Sequence, residues 1–146
     1  MTGPLATYRR RVERGELAAD AAQTQAIEAL ERLYRELRAA APSKGWRRRV
    51  ARIAGRKTAP VRGLYLWGGV GRGKTLLMDL FYGCLPFDDK LRQHFHRFMA
   101  SVHDRLKKLR DREEPLELVA EQIAAATRII CFDEFAVNDI ADAMIL

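Results

Sequence analysis

Between Gly68 and Thr75 the chain reads Gly-Gly-Val-Gly-Arg-Gly-Lys-Thr: Gly68, Gly69, Gly71 and Gly73, with Val70 and Arg72 between them, then Lys74 and Thr75. The spacing meets the pattern G-x-x-x-x-G-K-[ST], whose chemistry is the cradling of a triphosphate. Phosphate oxygens need several backbone N–H donors converging on one point. Glycines let the chain curl tightly and approach the anion closely. A helix opening at Lys74 would turn its positive dipole end toward the same charge. Lys74 would then contact the β- and γ-phosphates, and Thr75 would offer its hydroxyl to a magnesium ion. All eight residues, Gly68 to Thr75, are expected to line this site. The competing reading, a plain glycine-rich turn, does not explain why an apolar run precedes the loop and an amphipathic run follows it.

A second constellation lies 59 positions beyond Lys74, where Asp133 and Glu134 end an apolar stretch. If that stretch is a strand beside the one feeding the loop, Asp133 would hold the metal, through water or the Thr75 hydroxyl. Glu134 would orient and polarise the water that attacks the γ-phosphate. A carboxylate directly after the metal-binding Asp favours hydrolysis over transfer to an acceptor substrate. A solvated acid pair at a strand end is the alternative.

These residues need elements to hold them. Leu64–Trp67 reads as a short strand buried on both faces, and Lys74–Cys84 as a helix with Leu76, Leu77, Leu80 and Phe81 apolar. Leu91–His96 is expected to be a second strand, and Phe98–Arg110 a helix burying Met99, Val102, Leu106 and Leu109. Pro115 suits the first turn of a helix running to about Ala125. Ile129–Phe132 forms a third strand, and a last helix begins near Asn138 or Asp139. Strands alternating with helices argue for a parallel α/β sheet. Ahead of it, residues 1–19 read as an exposed arm with a short helical stretch around Tyr8–Arg14. Asp20 and Gln23 then have capping-box spacing, and Ile27, Leu30, Leu33, Tyr34 and Leu37 form an apolar face that stops at Pro42. The division is thus a helical, basic segment over residues 1–60 and a core over residues 61–146.

The net charge of +7 sits in the first part. Residues 1–62 carry 15 Lys and Arg against 6 Asp and Glu, and residues 63–146 carry 11 against 13. Much of the excess lies in Arg47, Arg48, Arg49, Arg52, Arg56 and Lys57, with Trp46, Val50 and Ile53 between them. Such a segment could draw nucleic acid, anionic lipid or an acidic protein tail through the same Coulomb attraction, or be a solvated surface. No apolar run approaches the roughly 18 residues of a membrane span, and no secretory signal pattern follows Arg9, Arg10 and Arg11. Cys84 and Cys131 have no disulfide or zinc spacing, which fits a reducing cytoplasm. His94 and His96, two apart on a strand, would share a face. With His103 they lack the further ligands a metal site needs.

Four segments taken in order resemble a known family. Gly63-Leu64-Tyr65-Leu66-Trp67 running into the loop, His94-Phe95-His96-Arg97-Phe98-Met99, Cys131-Phe132-Asp133-Glu134-Phe135, and Asp139-Ile140-Ala141-Asp142-Ala143-Met144 are similar to the ZapE-like cell-division ATPases and their mitochondrial relatives. The resemblance runs from about Tyr8 to the last residue. It implies an AAA+ P-loop NTPase fold, a parallel sheet flanked by helices, with ATP and Mg2+ as ligands. The function implied is ATP hydrolysis coupled to remodelling of a partner, in bacteria the tubulin-like division protein FtsZ. It implies as well a homo-oligomer when complete and a place in the cytoplasm, at the inner face of the cell membrane or the division site. Family members continue past this point with a polar sensor, an arginine finger and a helical lid. The chain therefore reads as an N-terminal part, truncated after the acidic strand and expected not to turn over ATP by itself. A nucleic-acid-associated loader, or a nucleotide-binding module without turnover, are the rival readings.

Overall fold

The structure, a computed structural model, describes residues 2–40, 61–69, 71 and 73–145. The basic segment 44–57, Val70 and Arg72 lie outside the described residues. The described residues fall into two compact units, divided after Phe87.

The first unit is helical. α1 (Pro4–Glu13) starts with proline in its first turn, where the missing N–H costs nothing. α2 (Ala21–Ala39) is capped by Asp20, whose carboxylate accepts from the Gln23 N–H at 2.8 Å. Its apolar positions come round every three or four residues, and all five, Ile27, Leu30, Leu33, Tyr34 and Leu37, are buried as the spacing predicts. Burying each is worth about 1.5–3 kcal/mol for an aliphatic side chain, which adds to the high helix propensity of a segment rich in Ala, Leu, Glu, Gln and Arg. α3 (Lys74–Cys84) brings Leu77, Leu80 and Phe81 into the same core. Residues 1–19 are not an exposed arm. Pro4 and Tyr8 are buried, and Leu5 N–H and Tyr8 O–H donate to Glu31 and Gln23 of α2. One large aromatic and a proline on one face of α1 sufficed to dock it, in spite of its three arginines.

The expected strand at Leu64–Trp67 is absent. The segment has no regular structure, and Leu64, Tyr65 and Trp67 are exposed, Trp67 at 84%. Strand conformation pays only where a neighbour completes the ladder, and no described strand pairs with these residues.

The second unit holds the sheet. β1 (Lys90–His94) and β2 (Ile129–Asp133) pair in parallel, Lys90 opposite Ile129 through His94 opposite Asp133. A parallel pair needs a long crossover, here α4 (Phe95–Lys108) and α5 (Pro115–Ala126). Phe95, Met99 and Val102 of α4, Val119 of α5 and Cys131 of β2 form its core. β1 is shorter than expected and α4 starts earlier, at Phe95, because burial of Phe95 and Met99 favours the helical period there. His96 therefore lies on a helix, and the expectation that it shares a strand face with His94 fails. The two rings stack at 5.8 Å. α6 (Ile140–Ile145) follows Asp139, whose carboxylate accepts from the Ala141 N–H at 2.8 Å. No described helix is long and apolar enough to cross a membrane.

Candidate functional site

Three of the loop glycines are required by backbone geometry, Gly68 at φ of 146° among them. Gly71 and Gly73 have φ of 77° and 74°, the left-handed region that a Cβ disfavours. Gly73 caps α3 in that conformation, and its carbonyl accepts from the Leu77 N–H at 3.0 Å. A Cβ at this position would come within 2.9 Å of the Gln23 amide nitrogen. Gln23 thus backs the loop from α2, and its own side chain accepts from Tyr8 at 3.3 Å. Sequence reading gave Gln23 a capping part alone, because its approach to Gly73 depends on how α2 packs on α3.

Lys74, the first residue of α3, folds its ammonium back over the loop. Nζ donates to the carbonyl oxygens of Gly68 at 2.8 Å and of Gly69 at 2.7 Å. The structure therefore brings Gly68, Gly69 and Lys74 together around one cation. It lies at the N-terminal end of α3, where first-turn N–H groups lack intrahelical acceptors. Thr75 is exposed on the same turn. A cation, a helix N-terminus and a loop of glycines in one place make a strongly anion-attracting corner.

The acid pair belongs to the second unit. Asp133 closes β2 opposite His94 and forms an ion pair with Arg92 of β1, Nη2 to Oδ2 at 3.3 Å. Arg92 was not singled out in the sequence. Parallel pairing in this register sets it beside Asp133, and no local pattern reports a register. Glu134 is exposed and has φ of 52°. Phe135 after it packs on Phe95 at 4.5 Å between ring centroids and lies 5.9 Å from Phe132. His103 of α4 meets Asp142 of α6 at 2.7 Å, which ties down the helix that follows the acid pair. No group of three His, Cys, Asp or Glu suited to a metal ion occurs among the described residues. Cys131, buried in β2, has its thiol pushed up to about 11 by desolvation, against the pull of Arg92 and Lys90.

Sequence comparison bears on both constellations. Residues 2–146 match the AFG1-like ATPase family. The chain is 46% identical over 151 aligned residues to the cell division protein ZapE of Escherichia coli (strain K12), covering 98% of this chain and 40% of that protein. It is 48% identical over 101 residues to lactation elevated protein 1 homolog B of Danio rerio, covering 62% of this chain and 20% of that protein. The chain thus spans about two fifths of the length of its ZapE relatives. No solved structure matches it. The family match runs across the glycine loop and the acid pair alike, and the chain belongs to the AFG1-like ATPase family.

Proposed function

We propose that this chain carries the nucleotide-binding part of an ATPase, an AAA+ P-loop core in which Gly68–Thr75 holds the phosphates of ATP. The observation that carries the reading is the Lys74 ammonium, held by two loop carbonyls at the mouth of α3. Phosphate oxygens would replace those neutral acceptors with charged ones, and charge-assisted hydrogen bonds are about twice as strong.

Thr75 and Asp133 suit magnesium chemically, since a hydroxyl and a carboxylate are the hard oxygen donors this ion takes. Bound with ATP, Mg2+ would neutralise phosphate charge. The Arg92–Asp133 pair is partly exposed, and such an ion pair is worth about 0–1 kcal/mol. Glu134 accepts a proton from water as its oxygen bonds to the γ-phosphorus and the bond to the β-γ bridging oxygen breaks, leaving ADP and phosphate. Lys74 stabilises the charge that develops on the transferred group.

The family match and the name of the ZapE relatives favour a role in cell division. We extend this to turnover coupled to remodelling of an FtsZ-like polymer by an oligomer at the inner face of the membrane. The deciding experiment follows ATP binding and phosphate release by the full-length protein, alone, with FtsZ polymers and with single-stranded DNA. Stimulation by FtsZ supports the reading. Stimulation by single-stranded DNA would make the protein a loader, and binding without release under any condition would leave a nucleotide-binding module.

A further inference from the structure

Strand alternation poses a difficulty for Glu134 that its backbone resolves. Along β2 successive side chains take opposite faces. Were the strand to continue, Glu134 would share a face with Phe132, and Phe132 lies in an aromatic cluster. Its ring stands 5.6 Å from Phe95 and 4.9 Å from Phe98. A carboxylate aimed there would lose its hydration without gaining a partner.

The chain departs from the strand at that residue. Glu134 has φ of 52°, and Phe135 then reaches the aromatic face, 4.5 Å from Phe95 and 5.9 Å from Phe132. Phe95 directly follows His94, the register partner of Asp133, so it is level with the point where the chain turns. The phenyl ring of Phe135, 41% exposed, leans on the side that alternation assigns to residue 134, and the Glu134 side chain stays exposed. A left-handed glutamate is strained, and the two flanking rings, in contact with Phe95, are placed to hold it there.

We propose that Phe135 is a positioning residue that, through its contact with Phe95, holds the backbone of Glu134 left-handed and keeps the carboxylate out of the aromatic cluster and free to meet water. This rests on the reading of Glu134 as the group that activates water. Phe135 acts through Glu134 alone.

The test uses the full-length protein. Phe135→Ala should lower the rate of ATP turnover at least tenfold and leave ATP affinity, measured by fluorescent-nucleotide titration, within about twofold. Phe135→Leu, which keeps an apolar body on Phe95, should recover most of the rate. In single-turnover measurements Phe135→Ala should add little to the loss already caused by Glu134→Gln, because both act through one carboxylate. Independently of activity, Glu134→Gly should melt at a higher temperature than Glu134→Ala, since glycine accepts the left-handed backbone freely. Equal losses of rate and affinity in Phe135→Ala, a full additional loss in the Glu134→Gln background, or no melting difference between the glycine and alanine variants overturns the proposal. If Glu134→Gln itself turns over ATP normally, the parent reading fails as well. If Glu134→Gln is inactive and Phe135→Ala is not, this inference alone fails.

Discussion

The ammonium of Lys74 lies 2.8 Å from the carbonyl oxygen of Gly68, six residues back along the chain, and 2.7 Å from that of Gly69. The loop thus closes on its own cation. Removing the cation should leave the glycine turn and α3 formed, because Gly73 and not Lys74 sets the helix start. Lys74→Ala is therefore expected to fold and to lose its principal phosphate contact. Hydrogen bonds to charged groups are worth about 1.5–3 kcal/mol, so ATP should bind about 10- to 100-fold more weakly. Isothermal titration of the full-length variant reads this directly, and unchanged affinity would remove Lys74 from the site.

Glu134→Gln retains the shape of the side chain and removes its charge. ATP binding should persist within a few-fold, while turnover falls by about two orders of magnitude or more, the usual contribution of a general base. Phosphate-release kinetics beside nucleotide titration separate the two effects. Normal turnover in this variant would move the base elsewhere.

Asp20 supports the loop at a distance, since it caps the helix that brings Gln23 against Gly73. Asp20→Ala removes the 2.8 Å bond to the Gln23 N–H. A lost cap of this kind costs about 1 kcal/mol. Chemical denaturation should show a lower midpoint with an unchanged slope, and Asp20→Asn should restore most of it. A midpoint indifferent to alanine would show that packing of Ile27 and Leu30 alone holds the start of α2.

Cys131 gives the second unit an alkaline limit. Burial raises its thiol from 9.0 to about 11, so the folded state favours the protonated form. The associated stability is complete below about pH 9 and is lost as pH rises from there through about 11. Thermal melts across that window should decline less steeply for Cys131→Ala than for the native chain. Parallel declines would mean that the thiol titrates alike in folded and unfolded states.

Much of the helical frame was legible in the residues themselves. Asp20 before an apolar period, Gly73 ahead of Lys74 and Pro115 at a first turn are signals carried by neighbours in sequence, and α2, α3 and α5 formed where they stand. The family was legible as well, since four short motifs in order are a linear property. Strands were legible in part: Ile129–Phe132 lies in β2 and most of Leu91–His96 in β1, as expected. Leu64–Trp67 has the composition of a buried strand and is exposed without one, while the more polar Lys90–His94 forms β1. A strand exists through its partner, and partnership joins residues far apart in the chain. The same reason hid the details of the acid pair. Arg92 reaches Asp133 across 41 positions, and His103 reaches Asp142 across 39. The type of each side chain, and so the chemistry it can do, was determined by sequence alone. Where Glu134 points was decided only when packing seated Phe135 on Phe95, because a strand's alternation by itself would have turned the carboxylate inward.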